Sequence, residues 1–113
     1  MDISHDDYQV QYDEATATVR CSGSFRLHGE EYKPVLDLLV QAADAKHATL
    51  TLDVRELQFL NSSGINTLSK FVLQVRKHNV SRVVVQGSAQ YPWQEKSLKN
   101  LQRLLPALQL EIV

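Results

Sequence analysis

The feature that most constrains this chain is the alternation of strand and helix patterns through its second half. Thr49-Leu50-Thr51-Leu52-Asp53-Val54 alternates apolar and polar residues, the pattern of a strand with one wetter face. Phe59 and Leu60 lead into Asn61-Ser62-Ser63-Gly64. Beyond that junction Ile65, Leu68, Val72 and Val75 share one side of a helix with Phe71 beside them, while Asn66, Lys70, Gln74 and Lys77 fall opposite. This helix is expected to end near His78-Asn79. Arg82-Val83-Val84-Val85-Gln86 reads as the most buried strand, closed by Gly87. Trp93 to Leu105 reads as the last helix, with Leu98, Leu101, Leu104 and Leu105 inward and Pro106 as its stop, and Leu110 to Val113 as a short final strand. Strands that alternate with helices run parallel and are joined by right-handed crossovers. The loops leaving their carboxyl ends therefore share one edge of the sheet, the usual place for binding in open α/β sheets. Three loops qualify: Ser24 to Glu30, Phe59 to Gly64 and Gly87 to Trp93.

The first half supplies two strands and a helix. Tyr8 to Tyr12 alternates with period two, Asp13-Glu14-Ala15 can turn, and Thr16 to Cys21 is rich in β-branched residues, which together suggest a hairpin. Ser22-Gly23-Ser24 then interrupts the pattern. From Glu31 the apolar residues Tyr32, Val35, Leu36, Leu39 and Ala43 recur at helical spacing, with Pro34 tolerated in the first turn and an end near Ala45-Lys46.

Composition narrows the functional classes. At 113 residues and 43% apolar content the chain is sized for one core, hence a single domain over 1–113. No apolar run approaches the roughly 18 residues of a membrane span, and the amino terminus is acidic where a signal peptide is basic, so a cytoplasmic protein is expected. Cys21 has no disulfide partner in the chain, and no Cys/His spacing suggests a metal or cofactor. Residues 1–56 carry eleven Asp/Glu against five Lys/Arg, and residues 57–113 carry seven Lys/Arg against two Glu. That polarity can orient a partner on approach. It forms no basic stripe interleaved with aromatics, which argues against nucleic acid.

The chemistry concentrates at Asn61-Ser62-Ser63-Gly64. The first turn of a helix leaves backbone N–H groups unpaired at the positive end of its dipole. Asn61 or Ser62 can cap them, and a phosphate on Ser62 meets the same donors. Gly64, without a Cβ, would let another surface approach the helix start. An enzyme using either serine lacks the G-x-S-x-G elbow and any acid or base placed by sequence, so the chain is not expected to be an enzyme.

Leu57 to Leu68, following Leu50 to Val54, resembles the signature of STAS domains, found in sulfate transporters and anti-sigma factor antagonists: a hydrophobic strand, Asp-Ser-Ser/Thr-Gly, then an amphipathic helix. Cys21-Ser22-Gly23-Ser24-Phe25 is similar to the family's second strand and following turn. The resemblance implies a single-domain α/β fold, a STAS-like mixed sheet of four to five strands with about three main packed helices, in the order β-β-α-β-α-β-α with an optional last strand. In partner-switching members the first Ser is phosphorylated by an ATP-dependent anti-sigma kinase and dephosphorylated by a PP2C-type phosphatase, and the unmodified form binds the kinase. Ser62 matches that phosphoacceptor and Ser63 its neighbour. The residue before it is usually Asp in the family. Asn61 here keeps the shape and capping ability but lacks the carboxylate that could orient the hydroxyl or hold a cation.

The expected partner surface comprises Asn61, Ser62, Ser63, Gly64, Asn66, Thr67, Tyr91 and Trp93. Tyr91-Pro92-Trp93 opens the last helix on the same edge, where Trp93 either pins the helix or meets the partner. A phosphorylation-independent scaffold, or a module sensing a nucleotide or small anion, would use the same edge. The histidines match no ligand spacing, and Lys96, Lys99 and Arg103 read as a solvated helix face. A monomer is the default expectation.

Overall fold

A computed structural model of the chain describes residues 2–45, 47–78 and 82–113. Six strands lie side by side in chain order: β1 (Asp2–Ser4), β2 (Tyr8–Asp13), β3 (Thr18–Phe25), β4 (Thr49–Leu60), β5 (Arg82–Gly87) and β6 (Gln109–Ile112). A 3-10 turn over Gly29–Tyr32 leads into α1 (Lys33–Asp44), and α2 (Ser62–His78) and α3 (Pro92–Leu104) follow β4 and β5. The pairs β1–β2 and β2–β3 are antiparallel, and β3–β4, β4–β5 and β5–β6 are parallel. Each parallel strand is added beyond the last, so right-handed crossovers bring all three helices to one face. There α1 packs on α2 and α2 on α3.

The mixed α/β architecture is the one expected, with one more strand than the four to five anticipated. The addition is β1, too short and polar to register as a pattern. Its Ile3 pairs with Val10 and packs against the core. Ser22-Gly23-Ser24 does not end β3. Gly23 is paired on both sides, with Tyr8 of β2 and Leu57 of β4. Phe59 and Leu60, expected at the start of the loop, are the last residues of β4. From Arg20↔Asp53 to Ser22↔Glu56, two steps on β3 match three on β4, and from Gly23↔Leu57 to Ser24↔Phe59 one step matches two. These bulges break the period of two. The buried residues then become every third one, Val54, Leu57 and Leu60. The expected helix ends at Lys46 and Asn79 lie outside the described residues.

The core lies between the sheet and the helices. Val10, Val19, Cys21, Leu50, Leu52, Val83 and Val85 point from the sheet toward Leu38, Leu39, Leu68, Phe71, Val72 and Leu98. Leu98 and Leu101 are buried as expected, whereas Leu104 and Leu105 are only half-buried at its rim. Burial, reinforced by the charge of Asp53, pushes the Cys21 thiol up to about 12, leaving it an inert core residue.

The opposite face of the sheet is polar. Asp2, Gln11, Arg20, Asp53, Gln86 and Glu111 are successive register partners across all six strands. At its centre Asp53 is 3% exposed and accepts from Arg20 Nε at 3.3 Å and from Arg55 Nε and Nη2 at 3.0 and 2.9 Å. Burial alone would raise its carboxyl, but the hydrogen bonds from Arg55 and Arg20 outweigh that and hold it below the ordinary value. No helix among the described residues is long and apolar enough to cross a membrane.

Candidate functional site

The carboxyl ends of β3, β4 and β5 share one edge, and side chains tie their loops together there. Asn61 is the centre of the first knot. Its Oδ1 accepts from the Gly64 backbone N–H at 2.8 Å, which caps α2, and from Tyr32 Oη at 2.8 Å. Its Nδ2 donates to the Leu27 carbonyl at 2.7 Å, and its backbone N–H donates to Phe25 O at 3.2 Å. Both ends of the amide are therefore used. A carboxylate would keep the two acceptor roles and lose the donor that Leu27 O requires. The Asn found where the resembled family has Asp thus has a structural reason in this chain.

Tyr32 arrives at Asn61 from a chain of edge-to-face rings. Tyr8 meets Phe25 at 5.2 Å, and Phe25 meets Tyr32 at 5.8 Å between centroids. Tyr32 is buried, and burial is the main cause of its phenol being pushed up to about 12, with a backbone hydrogen bond to Leu27 acting the other way. Gly64 is buried beneath this knot. A Cβ there would lie 2.3 Å from Leu60 Cδ1 and 2.9 Å from Tyr32 Oη. The close approach that requires glycine is thus made from within the protein, not by an outside surface as expected.

The two serines part company. Ser63 is half-buried, and its Oγ accepts from the Gly29 backbone N–H at 2.7 Å, joining the start of α2 to the β3–α1 loop. Its carbonyl accepts from Thr67 Oγ1 at 3.0 Å. Ser62, the first residue of α2, is exposed and its hydroxyl has no hydrogen-bond partner among the described residues. Asn66 lies exposed one turn on, while Thr67 is buried. Beside them Phe59 is 42% exposed with Arg26 stacked over its ring, 4.9 Å from guanidinium carbon to centroid.

The β5–α3 loop closes the edge by a different device. β4 pairs with β5 only as far as Asp53↔Gln86, so the carbonyls beyond lack a strand neighbour on that side. Gln94, fully buried in the first turn of α3, supplies the missing donors: Nε2 reaches Val54 O at 2.7 Å and Leu57 O at 3.0 Å. Its Oε1 accepts from the Ser88 backbone N–H at 2.8 Å. Gly87 makes room for it, since a Cβ there would stand 2.8 Å from Gln94 Oε1. Trp93 Nε1 donates to Gln58 O at 2.9 Å, so the half-buried indole braces the bulged strand. Tyr91 is half-buried at the extended residue preceding the helix.

Of the eight residues anticipated at the surface, Ser62 and Asn66 are exposed, Asn61, Ser63, Tyr91 and Trp93 are half-buried, and Gly64 and Thr67 lie beneath it. Sequence reasoning missed Gln94, Tyr32 and the Arg26–Phe59 pair. A polar residue on the apolar stripe that carries Leu98 and Leu101 was the available sign of Gln94. Among the described residues no group of three or more His, Cys, Asp or Glu could hold a metal ion.

The chain matches no protein-family model and no curated protein sequence. Its fold is shared with a chain in the crystal structure of the diguanylate cyclase SiaD in complex with its activator SiaC from Pseudomonas aeruginosa. The TM-score is 0.72 at 15% identity, over 99% of this chain and 97% of that one. A structure of SiaC of Pseudomonas aeruginosa superposes with a TM-score of 0.66 at 12% identity, over 100% of this chain and 96% of that one. At these identities the likeness is one of fold.

Proposed function

We propose that this chain is a protein-binding regulator of the STAS type, engaging a signalling protein through the edge formed by the three loops and controlled by phosphorylation of Ser62. The observation that carries the reading is the division of labour at the start of α2. Asn61 and Ser63 are held by hydrogen bonds within the protein, and Ser62 presents its hydroxyl outward. A phosphate added there brings about 1.5 to 2 negative charges to the centre of a contact surface. It meets the positive end of α2, so the protein itself tolerates it while a docked partner does not.

Shared fold with the activator of a cyclase supports a partner that is itself a signalling enzyme. The STAS resemblance adds a serine kinase of the anti-sigma type and a PP2C-type phosphatase as the pair that would set the state of Ser62, acting in the cytoplasm. A binding role is preferred to catalysis because, among the described residues, neither serine hydrogen-bonds to a histidine or carboxylate that could activate it. Phosphorylation-independent scaffolding uses the same surface and differs only in Ser62.

Capture of the partner on the purified chain, followed by titration, tests the reading. Ser62→Ala is expected to bind within about twofold of the parent and Ser62→Asp about tenfold or more weaker. Equal affinity of the two variants removes the switch. Phosphosite mapping of the native protein should find modification at Ser62 and none at Ser63, whose hydroxyl is committed to Gly29.

A further inference from the structure

The geometry points to a second element of the docking surface, a groove between α1 and α2 that receives an acidic amphipathic helix of the partner. This rests on the proposed function, since it extends the surface that bears Ser62. Two adjoining hollows, of about 280 and 260 Å³, run along the seam of the two helices and share Leu36 and Lys70. Leu36 and Leu73 give the groove its apolar contacts, and Lys70 and Lys77 stand over it. Thr67 to Lys77 spans about 15 Å of α2 at 1.5 Å per residue, the length of roughly three turns of a seated helix.

Leu73 is the residue that calls for an occupant. Three large apolar side chains are exposed among the described residues. Phe59 has Arg26 across its ring, and Val113 follows the last strand, whereas Leu73, 44% exposed, sits mid-helix. It lies on the outward stripe of α2 with Ser62, Asn66 and Lys77, which recur at i, i+4, i+11 and i+15 and so fall within about 60° of one another. The groove and the Ser62 surface are thereby one continuous face.

Charge selects the occupant. Lys70 and Lys77 are exposed and carry no ion pair among the described residues. At the other end Glu30 is acidic and Lys33 is already paired with Asp37 at 2.9 Å. The unmatched positive charge therefore lies along the groove from the middle of α2, at Lys70, to its last turn, at Lys77. A helix with Leu or Ile at i, i+3, i+4 and i+7 flanked by Asp or Glu complements both features.

The test is a titration of the isotope-labelled full chain with a stapled helical peptide of about four turns, leucines on one face and glutamates flanking them. Controls carry lysine for glutamate, or glutamine for leucine. Amide shifts are expected at Leu36, Lys70, Leu73 and Lys77. Leu73→Glu should weaken binding about tenfold or more. Lys70→Glu with Lys77→Glu should do so about tenfold and transfer preference to the lysine peptide. Equal binding of the lysine control to the parent chain, shifts confined to another face, or no binding overturns the groove. So does a Leu73-dependent dimer, which makes a second copy the occupant, or Leu73-dependent sedimentation with anionic vesicles, which makes it a membrane. All three substituted residues are exposed, so folding is retained and is checked by thermal melting. Failure here with Ser62→Asp still blocking the captured partner removes the groove alone. Peptide binding with Ser62→Ala and Ser62→Asp equivalent for the partner removes the switch alone.

Discussion

Two strand-to-helix junctions meet at the same edge of this sheet, and they solve the same problem in opposite ways. At β4–α2 the polar side chain that satisfies the backbone sits in the turn itself. Asn61 caps its own helix, holds Tyr32 and Leu27, and leaves Ser62 facing outward. At β5–α3 the polar side chain sits inside the helix. Gln94 is withdrawn from solvent to serve the carbonyls of a neighbouring strand. The first arrangement leaves the Ser62 hydroxyl outward, and the second uses both ends of the Gln94 amide inside the protein. A buried polar network costs most when one member is removed, because its partners remain buried without hydrogen bonds.

Gln94→Leu should therefore be the most damaging change. It leaves Val54 O, Leu57 O and the Ser88 N–H without their side-chain partner, and we expect a loss of about 3–5 kcal/mol in urea denaturation. A loss under about 1 kcal/mol would mean that water replaces the amide and that the brace is not what holds the bulged half of β4. Gly64→Ala comes next. Helix propensity favours alanine by about 1 kcal/mol, but the new methyl meets Leu60 and Tyr32, so a net loss of about 1–2 kcal/mol is expected. A net gain would show that the Tyr32–Asn61 knot can open.

Asn61→Asp sharpens the contrast further. The carboxylate still caps Gly64 and accepts from Tyr32, and it gains from the helix dipole, but Leu27 O loses its donor. The balance is a loss of about 1 kcal/mol at neutral pH in the same denaturation assay. Increased stability would reassign the residue as a departure without structural cause. The smallest effects separate the serines: Ser63→Ala should cost about 0.5–1 kcal/mol through the lost bond to Gly29, and Ser62→Ala less than about 0.5. Reversal of that order by thermal melting would undo the assignment of Ser62 as the uncommitted hydroxyl.

Much of this architecture was legible in the residues. Period two in Thr49 to Val54, helical spacing from Ile65 to Val75 and the β-branched run at Val83 to Val85 each report burial within one element, which is a local property. The parallel order of the strands followed from alternation and crossover handedness, and with it the edge where Asn61-Ser62-Ser63-Gly64 would lie. β4 shows where such reading stops. Its bulges are set by pairing with β3, so Val54, Leu57 and Leu60 follow a period that no single strand rule anticipates.

By itself, then, the sequence determined the element types, the mixed α/β class and the position of the serine pair at a helix start, because each depends on neighbours a few residues away. Only the tertiary structure decided what each polar group at that edge does. Ser63 is committed to Gly29, Asn61 to Leu27 and Tyr32, and Gln94 to Val54 and Leu57, across separations of 29 to 40 residues. Which of two adjacent serines remains outward is settled by those distant partners, since a hydroxyl's role depends on what reaches it and not on its place in the chain.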